Sequence, residues 1–250
     1  MGRRNLADQQ TAALTGPLLF AHFGNRVPEA VRHYPLNPGE TCREESQRNA
    51  QRRADYRLGR LLWRTGAHFF CHQTGTELPD ADHLPAWGAP RIPGQSFDAG
   101  LSHTDGVQVA AFHHDCLGVD VESSSRSIPW QRLAVRWFTK TENEWLQQSR
   151  SAARRFLFLW TLKEAWVKAT GRGIAGNLQA LSLAPRSQGA RFRIDRQEPE
   201  WHAASTLVDS FRISIIWHGQ GAPDWWDVAL PGGKAGPERI LDWTELELTP

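Results

Sequence analysis

Asp120 and Glu122 stand two residues apart in "LGVDVE", and a third carboxylate, Glu164, follows in "WTLKEAWVKATGRG", with Lys163 before it and Lys168 four residues after it. On a strand, residues i and i+2 project from one face, so the first two carboxylates are neighbours. Like charges held side by side call for a hard cation such as Mg²⁺ to neutralise them. For this pair alone, an alternating strand with a solvated face is the plain alternative. Glu164 shifts the balance, because Phe156, Leu159, Trp160, Leu162, Trp166 and Val167 surround it with too much apolar surface for a simple surface helix. An exposed i,i+4 Glu to Lys pair contributes only about 0.2–0.5 kcal/mol, less than desolvating both ions costs, unless a metal or phosphate ligand completes the site. Lysine is also scarce, four of 29 basic residues, and two of the four lie in this stretch.

Other polar groups suit phosphate. Ser102 and His103, in "LSHTDG", are expected on a loop at a sheet edge. Asp105 is too local to make them a catalytic triad and no GxSxG elbow is present, so contact with phosphate is their better use. Arg53, Arg57, Arg60 and Arg64 fall on one helical stripe, which reads as a solvated face or as a cradle for a phosphomonoester that Arg43 and Arg91 could join. Neither a GxxxxGK[ST] loop nor a GxGxxG fingerprint occurs.

The elements that must position these residues follow from pattern. Residues 40–65 read as one helix, and 74–100, rich in Gly and Pro, as an extended loop. "GVQVAAF" and "LGVDVE" read as a hairpin joined by "HHDC", with His113 and His114 as solvated turn residues. Helix starts are expected at Ser127 and at Thr139 or Thr141, and a long helix over 151–170 is stopped by Gly171 and Gly173. "ALSLA", "ARFRI", "FRISIIW" and "WDVAL" suggest an antiparallel sheet, and the tail from Pro231 reads as peripheral. A long helix followed by strands in each half favours an α+β chain of two similar lobes. The 250 residues suffice for a large core, and a net charge of +2 is too mild to argue for nucleic acid or membrane. Three widely spaced cysteines, without CxxC, indicate neither a disulfide framework nor a zinc site. The N-terminal apolar run is short and broken, so a soluble cytoplasmic protein is expected.

Together, "LSHTDG", "LGVDVE", "FTKTENEWL" and "FLWTLKEAWVKATGRGI" resemble, in order and spacing, the Sfp-type 4′-phosphopantetheinyl transferases, closely over residues 101–174 and loosely over the whole chain. The resemblance implies a pseudo-twofold pair of lobes, each a long helix on a small, mainly antiparallel sheet, with the active site between them: 1–116 binding coenzyme A phosphates, 117–230 carrying the metal and catalytic residues, and 231–250 a tail. It implies Mg²⁺ on Asp120, Glu122 and Glu164, Ser102 and His103 on the coenzyme's phosphates, and Lys168 on the transferring group. Glu164 would take the proton of a carrier-protein serine, which attacks the β-phosphorus and expels adenosine 3′,5′-bisphosphate. Arg43, and less directly Arg53, would reach the 3′-phosphate. Lys163 fits the family's KE pair. The family's Gly-Lys-Pro turn reads "WGAPRIP" here, with Ala89 in the lysine's place and Arg91 as its candidate substitute. A monomer is expected to dock an apo acyl or peptidyl carrier protein, of fatty-acid, siderophore or secondary metabolism, near Arg126, Ile128, Trp130, Leu133 and Arg136. A Mg²⁺-dependent phosphohydrolase and a degenerate, carrier-binding relative are the alternatives.

Overall fold

The computed structural model describes residues 15–24, 27, 29–88, 90–173, 178–185, 190–194, 200–227 and 244–249. The strands among them are β1 Leu18–Phe23, β2 Asp98–Thr104, β3 Val107–His113, β4 Leu117–Ser123, β5 Leu181–Pro185, β6 Ala190–Ile194, β7 Trp201–Val208, β8 Phe211–His218, β9 Asp224–Asp227 and β10 Thr244–Thr249. The helices are α1 Glu29–Arg32, α2 Pro38–Glu45, α3 Ala50–Thr74, α4 Trp130–Trp137, α5 Lys140–Gln147 and α6 Ala152–Thr170. One sheet has the order β2-β3-β1-β9 and the other β4-β8-β7-β10-β6-β5.

Period-2 alternation sorts the side chains into layers. Leu19, Ala21, Val107, Val109 and Ala111 of the first sheet meet Val119, Val121, Ile213, Ile215 and Trp217 of the second in a core between the sheets. The opposite face of the first sheet, with Leu18, Phe20, Ala110 and Phe112, packs on Leu62, Trp63, Ala67 and Phe70 of α3. On the outer face of the second sheet, Ala203 and Ile216 pack on Leu159, Leu162, Ala165 and Trp166 of α6. The result is a mixed α+β arrangement of helix, sheet, sheet and helix.

Several expectations need correction. The 40–65 helix is two, because the Asn49 side chain accepts the Arg52 amide and starts α3 afresh after Ser46 has closed α2. The hairpin is not "GVQVAAF" with "LGVDVE". Residues 98–104 are themselves a strand, and β2 pairs with β3 across the two-residue turn Asp105-Gly106, where Gly106 has φ 88° and supplies the conformation such a turn needs. "HHDC" instead carries the chain to the other sheet, where β4 pairs with β8. His113 is buried rather than solvated, and its ring nitrogen accepts the Asp115 amide.

The C-terminal segment is equally misplaced by a peripheral reading. β10 lies between β7 and β6 inside the second sheet, and β9, from within the span expected to form the second lobe, pairs in parallel with β1 of the first. Pairing of this kind relieves an open edge, and its partner is far away in sequence, where local periodicity carries no information. Residues 231–243 lie outside the described residues. The expected strands "ALSLA", "ARFRI" and "FRISIIW" correspond to β5, β6 and β8, and "WDVAL" to β9 in part.

Candidate active site

β4 is an edge strand of the second sheet whose apolar residues, Leu117, Val119 and Val121, face the inter-sheet core. Gly118, Asp120 and Glu122 therefore share the face toward α6. Gly118 is where the helix crosses: a Cβ there would lie 2.0 Å from the Ala165 carbonyl oxygen and 2.4 Å from the Ala169 amide. No larger residue fits between two backbones at that distance. The crossing sets Glu164 and Lys168, one residue before each of these alanines, beside the strand's carboxylates.

Lys168 does not make the i,i+4 pair with Glu164. Its Nζ donates to Asp120 Oδ1 at 2.7 Å, to Ser102 Oγ at 3.0 Å and to the Val119 carbonyl at 3.1 Å. Ser102 Oγ in turn donates to Asp120 Oδ1 at 2.9 Å. Asp120 is buried, and its other oxygen, Oδ2, has no hydrogen-bond partner among the described residues. A buried carboxylate oxygen left without a donor is costly and marks a place where something else binds.

The electrostatics agree with that reading. Burial, then the negative charge of Asp120, pushes the Glu164 carboxyl up to about 7, with Lys168 opposing and Glu122 adding to the rise. Glu122 is raised too, by burial first and Asp120 second, although Arg126 Nη1 lies 3.3 Å from its Oε2. Three carboxylates thus repel one another, opposed by Lys168 and, at Glu122, by Arg126. Among the described residues no group of three or more His, Cys, Asp or Glu side chains is gathered as a metal-holding cluster.

Lys163 points to the opposite side of α6 and is wholly buried. Its Nζ lies 2.9 Å from Glu142 Oε1 and donates to the Leu178 and Leu181 carbonyls at 2.5 Å each. Glu142, equally buried, also accepts the Thr139 amide in the capping box that starts α5. The KE pair therefore divides its work: Glu164 faces the carboxylates, and Lys163 ties α6 to α5 and to the start of β5.

The basic residues of the first half are largely committed within the protein. Arg57 donates to both Glu44 oxygens through Nε and Nη2 and to the Tyr34 carbonyl through Nη1, and Arg64 pairs with Glu40, 2.7 Å apart. Arg60 is buried and donates to the Ala86 carbonyl at 3.1 Å. From Arg57 to Arg64 the stripe is thus neither a solvated face nor an open cradle. Arg91, the candidate substitute for the missing lysine, places Nε and Nη2 on the two oxygens of Asp98. Ala89 lies outside the described residues. Arg53 is exposed with Nε 3.4 Å from the Gln47 carbonyl, and the Arg43 guanidinium sits 3.7 Å above the Trp87 ring. Ser102 and His103 occupy opposite faces of β2: the serine is buried and the histidine exposed. Among the described residues none of Arg43, Arg53 and Arg91 forms an ion pair with Asp120, Glu122 or Glu164. Ile128, Trp130 and Leu133 pack partly against the α6 core, whereas Arg126 and Arg136 are exposed.

The segment holding β4, α6 and the carboxylates is also where the chain is similar to known proteins: residues 116–216 match the family model of the 4′-phosphopantetheinyl transferase superfamily. The chain is 34% identical over 117 residues to the 4′-phosphopantetheinyl transferase gsp of Aneurinibacillus migulanus, covering 46% of this chain and 48% of that protein. It is 26% identical over 116 residues to the 4′-phosphopantetheinyl transferase Sfp of Bacillus subtilis, covering 46% and 49%. The chain spans about half the length of each of these curated relatives. Among solved structures it is similar to the holo-[acyl-carrier-protein] synthase of Thermotoga maritima over 42% of this chain and 64% of that one, with TM-score 0.35 and 18% identity.

Proposed function

We propose that this protein transfers 4′-phosphopantetheine from coenzyme A to a serine of an apo carrier protein. One observation carries the reading: within the segment that matches the superfamily model, Asp120 and Glu122 of β4 lie against Glu164 and Lys168 of α6, and among the described residues the buried Asp120 Oδ2 has no hydrogen-bond partner. An all-oxygen donor set of this kind suits Mg²⁺, which Asp120, Glu122 and Glu164 would hold. When bound, the ion would supply charge stabilisation for the pyrophosphate.

The chain's own residues do the rest. Glu164, whose carboxyl burial and the neighbouring carboxylates push up in the metal-free site, is the group placed to accept a proton. It takes the proton of the carrier serine as that oxygen bonds to the β-phosphorus and the bond to the bridging oxygen breaks, releasing adenosine 3′,5′-bisphosphate. Lys168 lies against Asp120 and answers the charge on the transferring group. His103 is exposed and available to the coenzyme's phosphates, and Arg43, held over Trp87, to its 3′-phosphate, with Arg53 beyond. Arg126 and Arg136 offer exposed positive charge to an acidic carrier beside the half-buried Ile128, Trp130 and Leu133. One long helix on the outer face of each sheet supports the two-lobed, pseudo-twofold organisation, with β9 crossing from the second lobe back to the first.

Incubation with coenzyme A, Mg²⁺ and a panel of apo carriers tests the reading by intact mass. A carrier gaining one phosphopantetheine is expected. Coenzyme hydrolysed while every carrier stays unmodified would point to a phosphohydrolase, and Mg²⁺-independent carrier binding without turnover to a binding protein. Glu164→Gln and Asp120→Asn should each lower transfer at least about a hundredfold while leaving the circular dichroism unchanged.

A further inference from the structure

Ser102 is where the first sheet touches the carboxylates of the second. β2 and β4 are edge strands of different sheets, and they approach closely, since a Cβ on Gly100 would lie 3.2 Å from the Val119 side chain. Two residues on, Ser102 is 7% exposed. A serine hydroxyl offers one proton and two acceptor positions. Here the proton goes to Asp120 Oδ1 at 2.9 Å, while the Val121 amide donates at 3.2 Å and Lys168 Nζ at 3.0 Å. All of its capacity is used within the protein, leaving nothing for a phosphate oxygen of the coenzyme.

We propose that Ser102 is a positioning residue and not a coenzyme contact. By engaging Oδ1 it fixes the rotamer of Asp120 and leaves Oδ2 as the oxygen with no partner among the described residues. By accepting from Lys168 it also holds that ammonium against the strand. The hydroxyl thereby couples three elements, β2, β4 and α6, at one point. This inference rests on the transferase reading, in that the cation and coenzyme are those of that reaction.

The test is a comparison of Ser102→Ala, Ser102→Thr and the wild-type protein by steady-state transfer kinetics, by thermal melting, and by Mn²⁺ binding followed through electron paramagnetic resonance without coenzyme. Partners that orient a metal-holding carboxylate typically govern about tenfold to a hundredfold in affinity or rate. Ser102→Ala should therefore lose about that factor in kcat and in Mn²⁺ affinity, with the KM for coenzyme A within about twofold, and Ser102→Thr, which keeps the hydroxyl, should recover both. A raised KM with kcat intact would make Ser102 a phosphate contact and overturn the proposal. So would unchanged parameters in Ser102→Ala, or losses that follow the melting temperature and are not recovered by threonine. If the wild-type protein modifies no carrier, the transferase reading fails by itself, and the Mn²⁺ comparison alone still decides the role of Ser102.

Discussion

Glu164 and Lys163 are adjacent in the chain and meet opposite fates, one half-buried among like charges and the other wholly buried with an opposite one. Glu164 binds its proton more tightly in the folded protein, up to about 7 against 4.5 for the free group. The native state therefore holds more protons than the unfolded state between these values, and stability conferred at low pH is lost as pH rises through the folded value. In a metal-free buffer with chelator, Glu164→Gln should thus raise the melting temperature relative to wild type at pH 8 more than at pH 5. After discounting for partial solvation the difference is about 1 kcal/mol, or about 2–4 °C. Equal differences at both pH values would remove the carboxylate from the strained position described. Lys163 invites a second measurement. Lys163→Met or Glu142→Gln alone leaves a buried group uncompensated and should cost about 3–5 kcal/mol, whereas Lys163→Met with Glu142→Leu should recover much of the loss in urea unfolding. The carboxylates were legible because charge on an apolar pattern is conspicuous. Lys163 was legible as an anomaly only, since its partner lies on another helix and its carbonyl acceptors leave no mark in sequence.

The element that fixes the site is the crossing of α6 over β4. Gly118→Ala would force a methyl to within 2.0 Å of the Ala165 carbonyl, so the helix must lift away. A loss of at least about 3 kcal/mol in denaturant unfolding is expected, since both close contacts are backbone and neither can rotate aside. A variant as stable as wild type would mean the crossing is looser than described. Helices α5 and α6 were readable from Thr139, Gly171 and apolar content, because caps are local signals. The break between α2 and α3 was missed because Ser46 to Asn49 contains neither proline nor glycine, and only the Asn49 side chain ends the ambiguity. β2 was missed because "DAGLSHT" carries a glycine and polar residues where a strand is expected to alternate cleanly.

At the scale of the whole molecule, the two sheets depend on the C-terminal segment in different ways. β10 sits between β7 and β6, and β9 closes the edge of β1. A chain ending after Pro223 would lack both strands. It should show no cooperative melting transition by calorimetry and should elute as an aggregate, because β7 and β1 would each present an open edge. A monomeric, cooperatively melting truncation would show that the two strands are accessory. Neither pairing was legible, since "TELELT" and "DWW" are short and their partners distant. The pairing of Leu18 with Asp224 also has a meaning in time. Synthesis at about 5–20 residues per second leaves roughly ten to forty seconds between emergence of the two strands. Throughout that interval the nascent chain carries β1 with an unmatched edge, so a holding chaperone on the ribosome meets its greatest demand before the last strands are made.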